Sequence, residues 1–116
     1  MAEPVFPRRM FRWAAIYGVI LLTPLYLTPL PPVGGEVFLG FVGLALVFQA
    51  LFWIIGGDPV KYRALMLPAV AEKLVFGLPA LGLAVSGYPV APPVAAFAAI
   101  DVLLGLGFWL AWRRTG

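Results

Sequence analysis

The chain contains no cysteine, no histidine and no asparagine. Without cysteine there are no disulfides, no thioether haem attachment and no thiolate metal site. Without histidine the commonest transition-metal ligand and general base is missing. Without asparagine there is no N-glycosylation acceptor. Other polar residues are scarce: one glutamine (Gln49), one serine (Ser86) and three threonines. Charged residues make up 11% of 116 positions, against about 25% in soluble domains. Enzyme chemistry is thereby narrowed to acid–base work by Asp, Glu or Lys, since Ser86 falls at a helix end. No catalytic residue, metal or cofactor is expected.

What is present is apolar. Hydrophobic residues make up 63% of the chain, and the mean hydropathy is +1.01. Four apolar runs of about 20 residues are each long enough to cross a bilayer. They predict helices over about 10–30, 36–55, 60–86 and 94–112, after a disordered tail from Met1 to Pro7. The first run is longer than a signal-peptide core and is followed by PPVGGE, so it is read as a retained span. Pro24 is expected to kink it by freeing the Ile20 carbonyl. Gly56 and Gly57 are expected to end the second span. The connections are short, which makes each helix antiparallel to the one before it. The expected fold is all-α: a single integral membrane domain, a four-helix up-and-down bundle.

Basic residues set the orientation. Arg8, Arg9 and Arg12 precede the first span, Lys61 and Arg63 lie between the second and third, and Arg113 and Arg114 follow the fourth. The other two connections contain no Lys or Arg. The positive-inside rule places both termini and the Asp58–Arg63 loop in the cytoplasm. The net charge of +3 is therefore a topological signal, not a sign of nucleic-acid binding. The same seven residues are expected to contact lipid headgroups. Trp13, Trp53, Trp109 and Trp112, with Tyr62, form an aromatic belt on that side. Asp58-Pro59 reads as an N-cap and first helical position for the third span.

Polar groups inside apolar runs cost about 2.5 to 3.5 kcal/mol each when charged and unpaired, and they mark functional sites by default. Glu72 and Lys73 sit side by side in the third span, Asp101 in the fourth, Gln49 in the second and Tyr17 in the first. Depths counted along the helices put them in one layer, in the half of the membrane nearer the basic side. The inexpensive arrangement turns them inward, with Lys73 bridging Glu72 and Asp101 or with one of the acids protonated. Plainer readings compete. Lys73 can snorkel, Gln49 can make only a helix–helix hydrogen bond, Tyr17 can pack at the interface, and a salt-bridged interior can merely lock helix register. Gly40, Gly43 and Gly105 are candidate points of close helix approach. Pro68 and Pro79 free the Ala64 and Val75 carbonyls.

The segment FLGFVGLALVFQALFWIIGGDPVKYRALMLPAVAEKL and the ending AAIDVLLGLGFWLAWRRT resemble a group of small bacterial four-helix membrane proteins. In size and layout these are similar to the DoxX-like superfamily. The pattern DPxxYRxLMLPAxxEKL, Asp58 to Leu74, is the most specific part, and the resemblance runs from Ile16 onward. It implies a four-helix bundle in the bacterial inner membrane and transfers no residue role; some DoxX-like proteins are subunits of quinone-linked oxidoreductases. The leading functional expectation is a protein that binds a lipophilic ligand such as a quinone, or an accessory subunit of a larger membrane complex. The polar end of the ligand would be oriented by Glu72, Lys73, Asp101 and Gln49. The alternative is a proton-coupled transporter working as a homo-oligomer. The small four-helix multidrug exporters carry a carboxylate in the first helix, whereas here that helix offers only Tyr17 and Thr23.

Overall fold

The structure, a computed structural model, describes residues 5–115, and these are helical with no strand among them. Helix α1 (Val5–Leu22) continues into a tighter 3₁₀ segment (Thr23–Leu27). Helix α2 (Gly35–Gly57) follows. A short 3₁₀ piece (Arg63–Leu65) leads into α3 (Met66–Val85), and α4 (Pro92–Arg114) is the last element among the described residues. Each span, counted with its 3₁₀ extension, has 23 residues, or about 35 Å of helix. That exceeds the hydrocarbon thickness of about 30 Å. The protein is a multi-pass membrane protein with four spans.

The helix ends differ from the expected ones for identifiable reasons. α1 begins at Val5 rather than at about Met10; Pro7 falls in its first turn, where a missing N–H is tolerated. The remainder of the expected tail, residues 1–4, lies outside the described residues. Pro24 does not kink an α-helix that continues to Leu30. Instead the α ladder stops at Leu22 and the chain tightens to 3₁₀ through Leu27. The Thr28 hydroxyl then closes the end by donating to the Leu25 carbonyl at 2.7 Å.

α2 ends at Gly57, so the glycine pair stands at its C-terminus as expected, with the helix reaching two residues beyond Ile55. The pair also gives clearance: a Cβ on Gly56 would lie 2.7 Å from Arg12 Cγ and 3.1 Å from the Arg8 carbonyl oxygen. Asp58 does not cap an α-helix. Its Oδ1 accepts the Lys61 N–H at 3.2 Å and its carbonyl accepts the Tyr62 N–H at 3.1 Å, closing a turn. α3 starts only at Met66, so Pro68 lies in its first turn. At the opposite end Gly87, at φ 91°, closes α3. Its N–H reaches the Ala84 carbonyl and the Tyr88 N–H reaches Leu83, the paired bonds of a left-handed C-terminal cap.

α1 packs along α2, α3 packs along α4, and α1 also meets α4, whereas α2 and α3 barely touch. The bundle is therefore a ring left open at the α2–α3 seam, with principal dimensions of 53 × 30 × 18 Å. Its core is Phe11, Ala14, Ala15, Phe52, Ile55, Met66, Ala69, Phe108 and Ala111. These residues lie in the half nearer the basic residues. Phe11 stacks on Phe108 at 4.2 Å between centroids, and Phe52 meets Phe108 edge-on at 4.9 Å. Such pairs contribute about 0.5 to 1.5 kcal/mol beyond their buried area.

The basic end is tied together by arginines. Arg8 Nη1 donates to the Gly57 carbonyl at 3.2 Å, and Arg63 Nε donates to the Trp112 carbonyl at 3.0 Å. Both carbonyls are at helix C-termini, where intrahelical partners run out and the dipole favours a cation. Arg12 lies 3.8 Å from the Trp53 ring centroid, Arg63 lies 4.4 Å from Trp112 and Arg113 lies 5.2 Å from Trp109. Arg63 is thus held by the fold, whereas Lys61 next to it is exposed.

Candidate functional site

Lys73 is the centre of the polar residues inside the bundle. It lies on the buried stripe of α3 with Met66, Ala69 and Gly77. Its side chain is 5% exposed, with Nζ 3.7 Å from Glu72 Oε2 and 3.6 Å from Asp101 Oδ1. It also lies 5.2 Å from the Phe52 ring centroid, so a helix α2 aromatic covers the ammonium. Lys73 does not snorkel. A Cβ on Gly105 would lie 3.3 Å from Lys73 Cβ, so the Lys73 backbone is level with Gly105. Asp101 is one turn further from the basic end of α4. The lysine side chain therefore reaches away from the headgroups.

Small residues make this reach possible. Gly77 lies one turn beyond Lys73, and a Cβ there would fall 2.8 Å from Val102 Cγ2 and 2.9 Å from the Ala98 carbonyl oxygen. The α3 and α4 backbones are in near contact at that point, with Gly105 providing a second close approach. Of the glycines expected to allow helix approach, only Gly105 does so. Gly40 faces open space, and Gly43 meets only the Tyr26 hydroxyl, at 3.5 Å. Gly18, Gly77 and Gly107 are close approaches that the sequence did not single out; at Gly107 a Cβ would fall 2.5 Å from Met10 Cε.

The other polar residues divide between two seams. Gln49 is 1% exposed, and its Nε2 donates to the Ala45 carbonyl of its own helix at 2.9 Å, not to another helix. Its Oε1 has no hydrogen-bond partner among the described residues. That oxygen occupies the space a side chain on Gly18 would fill, which keys α2 to α1. Tyr17, on α1, is within electrostatic range of Asp101, and its hydroxyl is buried without a hydrogen-bond partner among the described residues. Glu72 Oε2 likewise makes no hydrogen bond there, since its contact with Lys73 is an ion pair of longer range. Glu72, Lys73 and Asp101 thus converge, while Gln49 belongs to the α1–α2 seam.

Lys73 is buried, but the Glu72 and Asp101 side chains remain 17% and 18% exposed. Two carboxyl groups share one ammonium. Such a group can hold a proton, a cation or the polar end of a ligand. No set of three or more His, Cys, Asp or Glu residues is placed to hold a metal among the described residues. Two clefts lie elsewhere. One, of about 480 Å³, runs along the α1–α2 face and is lined by Ile16, Ile20, Gln49 and Trp53 among others. The second lies beside Pro24. No family model, curated protein or solved structure matches the chain.

Proposed function

We propose that the protein is a small multi-pass component of a bacterial inner membrane, with both termini cytoplasmic. In this reading it binds a lipophilic molecule through the polar group around Lys73, alone or as an accessory subunit of a larger complex. The observation that carries the reading is the convergence of a buried ammonium and two part-exposed carboxyls, one of whose oxygens, Glu72 Oε2, has no hydrogen-bond partner among the described residues. A structural lock alone would be expected to satisfy its buried polar atoms. The placement of Arg8, Arg9, Arg12, Lys61, Arg63, Arg113 and Arg114 supports the orientation. The resemblance to DoxX-like proteins supports the inner-membrane setting.

Native mass spectrometry of gently extracted protein tests this reading. The expected result is a co-purified lipophile that is lost in the Glu72→Gln, Asp101→Asn double variant and retained in Lys61→Ala. A bare chain with no co-purified molecule or partner subunit contradicts it. A second reading, proton-coupled transport by an oligomer, draws support from the surplus carboxyl. It predicts flux in vesicles that Glu72→Gln or Asp101→Asn abolishes. Unchanged flux in both variants would sink it.

A further inference from the structure

The open seam of the bundle leads to one member of the polar group in particular. Glu72 and Phe76 are four residues apart on α3 and so lie on the same stripe. Phe76 meets Phe41 of α2, with ring centroids 5.8 Å apart. This aromatic pair is one of few bridges across the weakly packed α2–α3 seam. Glu72 therefore lies one turn behind Phe76 along that seam. Lys73, about 100° further round the helix, points away from the seam into the core.

The groups that this seam presents are thus the Glu72 carboxyl, 17% exposed, and the Phe41 and Phe76 rings, while the Lys73 side chain is 5% exposed. With two carboxyls to one lysine, the uncompensated charge is negative. Aromatic faces beside a carboxyl recognise cations. An acceptor-only head, such as a carbonyl, would find no accessible donor at Glu72.

Building on the lipophile-binding reading, we infer that the α2–α3 seam, gated by Phe41 and Phe76, admits a lipophilic cation whose charged end is held by Glu72 and Asp101. Binding of tetraphenylphosphonium and of neutral, acceptor-only triphenylphosphine oxide is measured by equilibrium dialysis in nonionic detergent, against empty micelles. The cation binds at least tenfold tighter than the oxide. Glu72→Gln, confirmed folded by its helical circular dichroism and monodispersity, weakens the cation by about tenfold or more, as expected when a carboxylate facing a cation in a partly dehydrated site is made neutral. Equal binding of both probes, or no effect of Glu72→Gln, overturns the inference.

The absence of native cysteine allows a second test. Cross-linking Phe41→Cys to Phe76→Cys should block probe exchange, and unchanged exchange overturns the access route. A neutral lipophile seen by native mass spectrometry, with no cation binding, removes this inference and leaves the lipophile-binding reading standing. Absence of both removes both.

Discussion

Replacing Lys73 with Met isolates the role of the buried ammonium. Methionine is unbranched and similar in length, and its sulfur can keep the contact with Phe52. The packing against Gly105 is therefore retained, and the charge is what changes. Two carboxyls are then left without their cation. Breaking a buried ion pair costs about 3 to 5 kcal/mol, whereas a fully exposed one is worth about 1 kcal/mol or less. Lys73 is 5% exposed but its partners are 17% and 18% exposed. Partial hydration of the carboxyls places the expected loss near the lower bound, at about 2 to 3 kcal/mol. The triple variant Glu72→Gln, Lys73→Met and Asp101→Asn removes all three charges and should return to within about 1 kcal/mol of the parent, because replacing a whole buried ion group is often neutral. The assay is reversible unfolding in mixed micelles, followed by helical circular dichroism. A loss below about 0.5 kcal/mol for Lys73→Met, or a triple variant no better than the single, would refute the argument that the three groups compensate one another.

Gly77→Ala should destabilise by about 1 to 3 kcal/mol, because its Cβ meets a backbone carbonyl. Gly82→Ala, which faces open space, should be neutral or gain up to about 1 kcal/mol of helix propensity; equal shifts in the two midpoints would contradict the α3–α4 contact. Gly18→Ala should cost about 1 to 2 kcal/mol by displacing the Gln49 amide. In the Gln49→Ala background most of that cost should vanish, and simple additivity in the cycle would reject the keyed seam. Arg63→Ala should cost about 1 to 2 kcal/mol through the Trp112 carbonyl and ring. Lys61→Ala should have little effect, and a similar loss for both would show that Arg63 caps nothing.

The four spans were legible because long apolar runs have one physical meaning in a chain this poor in charge. Their ends were less so. The role of Pro7 and Pro24 depends on which turn of a helix they fall in, and the residue type alone does not set that. Gly56 and Gly57 stand at the end of α2, as they look in sequence, and they also clear space for Arg12. The meeting of Lys73 with Asp101 could be anticipated from the cost of burying charge. Three features could not: which glycines allow the approach, that Gln49 turns to its own helix, and that α2 and α3 scarcely pack. A short loop fixes the relative direction of α2 and α3 but not whether their side chains interlock.

The central claim is that the carboxyls of the polar group are reached from the membrane interior, through the α2–α3 seam. Labelling membranes with a hydrophobic carbodiimide, followed by peptide mass mapping, tests it most directly. The account predicts an adduct on Glu72, slowed by tetraphenylphosphonium, while a water-soluble carbodiimide modifies Glu36 and Asp58 instead. Hydrophobic reagent found only on loop or terminal carboxyls, with Glu72 and Asp101 untouched, would contradict it.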